Sequence, residues 1–504
     1  MKLKRLLKDI PNIQIKGSKD PDITGVCANS HLVAPGNLFI ARRGLSSDGT
    51  HYIPEAVEAG AVAVLTDIYD PLLSKSVTQI LHSDVASLEG VIAAQYYQYA
   101  GNEMFMIGIT GTNGKTTTSF LIKHLLDSFH GPCGLIGTIE YIIGQHRYQA
   151  TRTTPDAVST QKMLREMVIQ GCRSAVMEVT SHALDQHRVD CISFDTAVFT
   201  NLSLDHMDYH KTIENYVSAK NKLFRSLNPK SSKKNHSFPK MAVVNADSPL
   251  HEKILEGCLA NKITYAIDKD ADLKAENVEL SSNGTKMTLC YQGKKIDLSW
   301  SLVGRFNIYN CLATVAVGLS RQIPLEKIVG ILEKAPFIPG RLQVITNPLD
   351  LKIYVDFAHT DDALANVLEC LQEFKTGRII TVFGCGGNRD ASKRPRMAKV
   401  CQQYADLTIV TSDNPRNEDP ADIIRQIVSG FSTSEKYIVE MDRYEAIEKA
   451  IVMAINGDII LIAGKGHETH QIFAHKTVEF DDRNVALEIC QKIFDSAKQP
   501  QLIN

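Results

Sequence analysis

Eleven cysteines are spread through these 504 residues, yet no two stand at C-x-x-C spacing. That argues against the usual zinc and dithiol patterns and against a disulfide framework, and it favours a reducing compartment. No stretch approaches about 18 uninterrupted apolar residues, so no membrane span is expected. The opening Met1-Lys2-Leu3-Lys4-Arg5-Leu6-Leu7-Lys8 is basic but has no apolar core of signal length, and the expected location is the cytoplasm. Neither sign of charge dominates: 55 Lys and Arg stand against 57 Asp and Glu, a net charge of −2. Nothing therefore points to nucleic acid or to a membrane surface as partner. Internal repeats and long low-complexity tracts are also missing.

What is there is an ordinary globular mixture, 44% apolar and 22% charged. The chain is too long for a single core, so roughly two to four domains are expected. The stretch that organises it is Ile107-Gly108-Ile109-Thr110-Gly111-Thr112-Asn113-Gly114-Lys115-Thr116-Thr117. An apolar strand from Met104 to Ile109 runs into a glycine-rich turn, and a helical pattern follows from Ser119 to Leu126. Glycines let backbone N–H groups converge on phosphate oxygens, and the start of the helix adds its positive dipole. Lys115 is placed to reach the terminal phosphates and Thr116 to reach Mg²⁺. The strict G-x-x-x-x-G-K-[ST] pattern is broken at its first glycine, where Ile109 stands.

Along the chain, residues 1–101 read as a small α/β domain, with strands at Asn37–Ala41 and Ala61–Leu65 and a helix at Ile53–Ala59. Residues 102–337 continue from the phosphate turn with strands Arg173–Val179 and Thr196–Asn201, a β-rich stretch ending near Leu302, and a helix from Asn307 to Leu319. The lysine-, serine- and proline-containing segment Asn228–Lys240 reads as a solvated loop. Pro336-Phe337-Ile338-Pro339-Gly340-Arg341 reads as a hinge, because such residues cannot continue a helix. From 338 to 504 the alternation restarts, with strands at Lys352–Phe357, Arg378–Phe383, Leu407–Thr411 and Asp458–Ala463. The expected fold class is α/β: a central mostly parallel P-loop sheet and a C-terminal Rossmann-like domain, with ligands at the carboxyl ends of the strands.

Several residues carry chemistry. Glu178, ending an apolar strand, suits a metal beside Thr116. Asp205-His206-Met207-Asp208-Tyr209-His210 is rich in metal-capable groups, but Met207 occupies the glutamate position a zinc protease needs. Taken alone, Lys220 is a surface lysine on a helix.

Seven ordered segments together resemble the Mur ligase family. They are Gly111–Thr117, Met177-Glu178-Val179-Thr180-Ser181-His182, Asn201–His210, Asp356-Phe357-Ala358-His359, Gly384-Cys385-Gly386-Gly387-Asn388-Arg389, Asp413-Asn414-Pro415-Arg416 and Gly464-Lys465-Gly466-His467-Glu468. The likeness is to the branch that adds the third residue of the peptidoglycan stem peptide. It implies three domains, binding a UDP-sugar, ATP and an amino acid. It implies ATP-dependent addition of meso-diaminopimelate to UDP-N-acetylmuramoyl-L-alanyl-D-glutamate through an acyl phosphate, in the service of cell-wall growth, shape and division, using Mg²⁺; a monomer is expected.

By the same resemblance, Ser30, Leu45, Ser46, Ser47, Thr153, Thr154, Thr180, Gln186 and Arg188 hold the UDP-muramoyl dipeptide. Gly111, Thr112, Asn113, Gly114, Lys115, Thr116, Thr117, Asn307, Asn310, Arg341, Asp356 and His359 hold ATP. Thr116 and Glu178 take one Mg²⁺, while His206 and a carbamylated Lys220 take another, so Lys115, Glu178, His206 and Lys220 form the catalytic group. Arg389, Asp413, Asn414, Pro415, Arg416, Gly464 and Glu468 hold diaminopimelate. Closure about Arg341 shields the acyl phosphate from water. Diaminopimelate differs from lysine by one distal carboxylate, and a guanidinium matches a carboxylate in a planar, bidentate way. Arg416 is the candidate for that guanidinium, the alternative being a loop arginine paired with Glu418 or Asp419; by the resemblance, the lysine-adding relatives lack it.

The chain departs from the family pattern at Thr180 (usually serine), Asn388 (aspartate), Asp361 (proline) and His31 (arginine). The rival readings are the lysine-adding relative, a folylpolyglutamate synthetase, and a P-loop switch that forms no bond. Arg416, the diaminopimelate motifs and the metal-side set Lys115, Thr116, Glu178, His206 and Lys220 speak against them in turn.

Overall fold

In the computed structural model the described residues are 1–17, 20–44, 47–203, 205–229, 233 and 238–498. Leu45 and Ser46 lie outside them. The chain divides into two compact units, Met1–Tyr265 with Ala313–Pro324, and Ala266–Leu312 with Leu325–Asn504.

The first unit holds two sheets. Five short strands lie in the order Gln14–Lys16, Thr78–Leu81, Ala63–Thr66, Asn37–Ile40 and Gly25–Cys27, parallel except for the first pair. Asn37–Ile40 and Ala63–Thr66 are buried at every position, the signature of a parallel strand covered on both faces. The larger sheet places Phe105–Thr110 between Thr196–Phe199 and Ser174–Glu178, all parallel. Met241–Asn245 and Asn261–Ala266 extend it on one side and Cys133–Ile136 on the other. Glu178 pairs with Ile109, so the acid ends its strand level with the start of the phosphate turn.

The second unit contains an antiparallel ribbon, Leu273–Ser281, Gly284–Tyr291 and Lys294–Trp300. It also contains a six-stranded sheet in the order Gln343–Val344, Lys352–Asp356, Ile459–Ala463, Ile379–Phe383, Leu407–Val410 and Tyr437–Val439. All its pairs are parallel except the first. Alternate strand residues feed two cores. Tyr354, Phe383, Val410 and Leu461 meet Leu364, Met397 and Ile423 on one face. Ile353, Ile380, Ile409 and Ile460 meet Ile447, Ala450 and Ile489 on the other. This is a doubly wound sheet, and its four central strands end at residues 356, 383, 410 and 463. The motifs beginning at Asp356, Gly384, Asp413 and Gly464 therefore all sit in loops at one edge of the sheet, where such folds bind ligands.

One expectation is corrected for the described part of the segment Asn228–Lys240, residues 230–232 and 234–237 lying outside the described residues: Lys233 and Lys240 are not solvated but buried, and converge on buried Asp195 at 2.6 and 2.9 Å. Met106 N–H donates to the same carboxylate at 2.8 Å. Two cations and one amide balance a buried anion that would otherwise be costly. All eleven cysteines are free thiols. No helix among the described residues is long and apolar enough to cross a membrane.

Candidate active site

The strand Phe105–Thr110 delivers the chain to Gly111, whose φ is +152°. A Cβ there would lie 1.9 Å from Thr200 Oγ1, so only glycine lets the turn pass this close to the neighbouring strand end. The helix Lys115–His130 begins at the next turn. Lys115 Nζ folds back to donate to Gly111 O at 2.9 Å and Thr112 O at 2.8 Å. Asn113 N–H donates to Asn201 Oδ1, which fixes the turn against the adjacent loop.

Glu178 is wholly buried. Thr116 Oγ1 donates to it at 3.1 Å, and Thr138 donates through both N–H and Oγ1 at 2.9 Å. Among the described residues no lysine, arginine or histidine pairs with this carboxylate. A buried anion held only by neutral donors is a charge in want of a cation. The hydroxyl–carboxylate pair of Thr116 and Glu178 is oxygen chemistry suited to Mg²⁺.

Lys220 corrects the surface reading. It is 1% exposed and donates to Gly111 O at 2.9 Å, the same carbonyl that Lys115 contacts. Its ammonium also lies 4.5 Å from the centre of the Tyr216 ring. Burial first, then the Lys115 charge, push its pKa well below the ordinary lysine range, with Asp205 opposing. Its helix, Ile213–Arg225, is capped by Thr212, whose side chain accepts from Asn215 N–H. Thr212→Ala is expected to lower unfolding stability by about 1 kcal/mol, read as a drop in the denaturation midpoint at unchanged slope.

Tyr216 connects this helix to the turn, its hydroxyl 3.1 Å from Thr112 Oγ1. His206, in a left-handed conformation, stands 3.3 Å from Asp205 and 6.2 Å, ring to ring, from Tyr216. Among the described residues no three His, Cys, Asp or Glu side chains group as a metal cluster. A metal here would draw on hydroxyl, phosphate or carbamate oxygens besides Glu178 and His206.

Of the residues expected at the muramoyl dipeptide, Thr153, Thr154 and Thr180 gather beside Glu178. Thr154 Oγ1 donates to Glu178 O at 2.8 Å, and Thr180 N–H donates to Thr154 Oγ1 at 3.1 Å. Thr180 also caps the helix Ser181–Asp185. Thr153 Oγ1 is 3.1 Å from Thr138 Oγ1. Arg188 donates to Thr154 O at 2.9 Å and to Gln186 Oε1 at 2.5 Å. Ser30 opens the short turn Ser30–Leu32, and His31 pairs with Glu55 at 2.8 Å. Ser47 O accepts from Gly44 N–H.

The other expected nucleotide residues belong to the second unit. Asn307 and Asn310 are buried neighbours, linked at 3.0 Å. Asp356 accepts from Leu342 N–H and Ala358 N–H at 2.6 and 2.7 Å; burial raises its pKa, against the Arg341 charge. Arg341 lies 4.8 Å from the centre of the Phe357 ring. His359 Nδ1 is 2.8 Å from Phe357 O.

The third group assembles at the strand ends of that unit. Asp413 Oδ1 accepts from Asn414 N–H at 2.6 Å. Gly464, at φ +110°, passes so near Asp413 that a Cβ would lie 2.7 Å from Oδ2. Asn414 Nδ2 donates to Glu468 Oε2 at 2.7 Å. Arg416 donates to Gly387 O at 2.9 Å and to Asn414 O at 3.4 Å, and to no carboxylate among the described residues. The nearby acids are committed elsewhere: Glu418 takes both guanidinium nitrogens of Arg394, and Asp419 caps the helix Pro420–Val428. Arg389 is exposed close by, its Cγ 3.9 Å from where a Gly386 Cβ would stand. Asn388, the departure beside it, accepts from Asn417 N–H and donates its own N–H to Glu418.

Two residues here escaped the sequence reading. Lys465, inside a quoted motif, is wholly buried against Glu468 and Asn414. Arg443 is also buried; it holds Asp482 at 2.8 Å through two nitrogens and donates to Ser412 O and Ala463 O, bracing the two loops. Lys465 has a signal, its place in the motif. Arg443 has none, because its partner is 39 residues away.

Comparison with known proteins places these groups in context. Three family models match in succession: Mur ligase family, catalytic domain, over residues 22–97; Mur ligase middle domain, over 109–318; and Mur ligase, glutamate ligase domain, over 340–466. A Chlamydia pneumoniae protein named UDP-N-acetylmuramoyl-L-alanyl-D-glutamate–2,6-diaminopimelate ligase is 44% identical, over 97% of this chain and 99% of its own. A Clostridium acetobutylicum protein of that name, numbered 1, is 40% identical over 98% and 100%. A solved structure of an enzyme with the same name aligns at TM-score 0.69 and 30% identity, covering 98% of this chain and 99% of that one.

Proposed function

The chain belongs to the Mur ligase family, and we propose that it joins meso-diaminopimelate to UDP-N-acetylmuramoyl-L-alanyl-D-glutamate at the expense of ATP in the cytoplasm. The observation that carries the choice of amino acid is Arg416: among the described residues its guanidinium is anchored by main-chain carbonyls only, while Glu418 and Asp419 have other partners. Such a cation is prepared for a carboxylate that the described residues do not supply. Glu468 offers the opposite charge for an ammonium. A distal centre bearing both groups satisfies both residues, and lysine satisfies one.

Three domains divide the work: residues 1–101 take the UDP-sugar, 102–337 ATP and 338–504 the amino acid. The family matches over 22–97, 109–318 and 340–466 support this division. Lys115 and the backbone amides of the Gly111–Thr117 turn hold the terminal phosphates, and the Thr154–Thr180–Arg188 group holds the dipeptide end. The D-glutamate γ-carboxylate attacks the γ-phosphorus and the bond to ADP breaks. The amine of diaminopimelate then attacks the acyl phosphate; the C–N bond forms and phosphate leaves. Thr116 and Glu178 would hold one Mg²⁺, and His206 with Lys220 the other. When bound, these ions offset the repulsion between carboxylate and triphosphate.

Two amines sharing the Gly111 carbonyl are an unfavourable pair unless an anion joins them or one is neutral. Carbamylation does more: the ammonium first gives up a proton, and the neutral Lys220 Nζ then bonds to the carbon of CO₂ and releases a second proton, so that a cation becomes an anion. Removal of CO₂ from the assay is therefore expected to lower the ligation rate, with recovery on adding bicarbonate. A ¹³C-bicarbonate carbamate resonance is expected in the wild type and absent from Lys220→Ala. Bicarbonate-independent turnover with no such resonance would count against the modification.

The function itself is tested by an amino-acid panel. Phosphate release should require ATP, the nucleotide dipeptide and meso-diaminopimelate together, with lysine a poor substitute. Release without either acceptor points to a switch, and a preference for lysine points to the lysine-adding relative.

A further inference from the structure

We propose that Lys465 is a positioning residue that turns one oxygen of Glu468 toward the distal ammonium of diaminopimelate. The inference rests on the amino-acid reading above. The strand Ile459–Ala463 ends at Gly464, and the next side chain points into the protein with no exposure at all. The Lys465 ammonium donates to His470 O at 2.6 Å, to Glu468 Oε2 at 3.2 Å and to Asn414 Oδ1 at 3.3 Å. Those acceptors come from three places: the hairpin His470–Ile472/Thr477–Glu479, the turn containing Glu468, and the loop after strand Leu407–Val410. Asn414 is held in turn, its Oδ1 accepting from Ile472 N–H at 2.9 Å. Glu468 N–H closes its own turn onto Lys465 O at 2.9 Å.

The arrangement is asymmetric at Glu468. Both protein donors, Asn414 Nδ2 and Lys465 Nζ, meet Oε2. Oε1 takes no hydrogen bond from the described residues, and the side chain is 33% exposed. One oxygen is anchored and the other is presented. Desolvating a lysine costs several kcal/mol unless its donors are all met, and a methionine would fill the same space without that cost. The lysine charge weakens the pull of Glu468 on a second cation, so what Lys465 contributes is orientation. A purely electrostatic role predicts the opposite sign of effect.

The test compares meso-diaminopimelate with 2-aminopimelate, which keeps both carboxylates and lacks the distal ammonium. In the full-length enzyme, Lys465→Met is expected to lower kcat/KM for meso-diaminopimelate about tenfold, mostly through KM, the scale of one misdirected hydrogen bond to a charged group. The KM values for ATP and the nucleotide dipeptide should stay as in the wild type. The same substitution should leave 2-aminopimelate nearly unaffected, and in a Glu468→Gln background it should have no further effect. Lys465→Arg should recover part of the loss.

An equal loss with both amino acids, additivity with Glu468→Gln, or improved use of diaminopimelate would overturn the proposal. Should Lys465→Met not fold, the wild type crystallised with diaminopimelate decides: Oε1 on the distal ammonium supports it, and a Glu468 turned away overturns it. Failure of the functional reading is separate, because the wild type would then not ligate diaminopimelate at all.

Discussion

Arg416→Ala is expected to lower kcat/KM for meso-diaminopimelate by about 2 kcal/mol or more, about thirtyfold, as when one partner of a desolvated charge pair is removed. The loss should fall on diaminopimelate and leave the already poor use of lysine little changed, because lysine has no group for the guanidinium to bind. Arg416→Lys should recover only part of it, since an ammonium cannot reproduce the planar two-point contact. The structure makes this specific. The arginine backbone is locked by its N–H to Ile472 O at 3.0 Å, and its side chain by Gly387 O at 2.9 Å. Its direction is therefore set before the amino acid arrives. Steady-state rates with both amino acids check it, and an unchanged kcat/KM for diaminopimelate would remove the argument for amino-acid choice.

Lys115→Met is expected to lower kcat by about 10²–10³, the scale for losing one preorganised donor to a charge that develops in the transition state. Lys115 and Lys220 already converge on Gly111 O, so the nucleotide turn is held ready. Fold and stability should change little, because Lys115 stands at the first position of its helix and anchors no core. Phosphate release and the thermal midpoint, measured together, separate the two effects. A variant with normal turnover would place the phosphates elsewhere.

Much of this was legible as pattern. Phe105–Thr110, Ser174–Glu178 and the strands of the second unit announce themselves as apolar runs because both faces of a parallel sheet are covered. The motifs beginning at Asp356, Gly384, Asp413 and Gly464 follow such runs, and strand ends are where they fall.

Burial of charge was harder to see. Lys220 lies on the stripe Tyr216–Lys220–Leu223–Leu227, whose spacing marks the inward face, but its own polarity argues for the outside. Lys233 finds Asp195 across 38 residues, and no local pattern encodes such a distant partner. Arg443 and Asp482 pose the same difficulty. Lys465 stood in a motif that marks a ligand loop without telling which side chains face the ligand and which face inward.

The central claim is that the Arg416 guanidinium, paired with no acid among the described residues, selects an amino acid with two charged ends. A crystal structure with ADP, the nucleotide dipeptide and meso-diaminopimelate tests it most directly. The account predicts the distal carboxylate on Arg416 and the nucleotide phosphates in the turn from Gly111 to Thr117. A distal carboxylate bound away from Arg416, or phosphates bound away from Lys115, would contradict it.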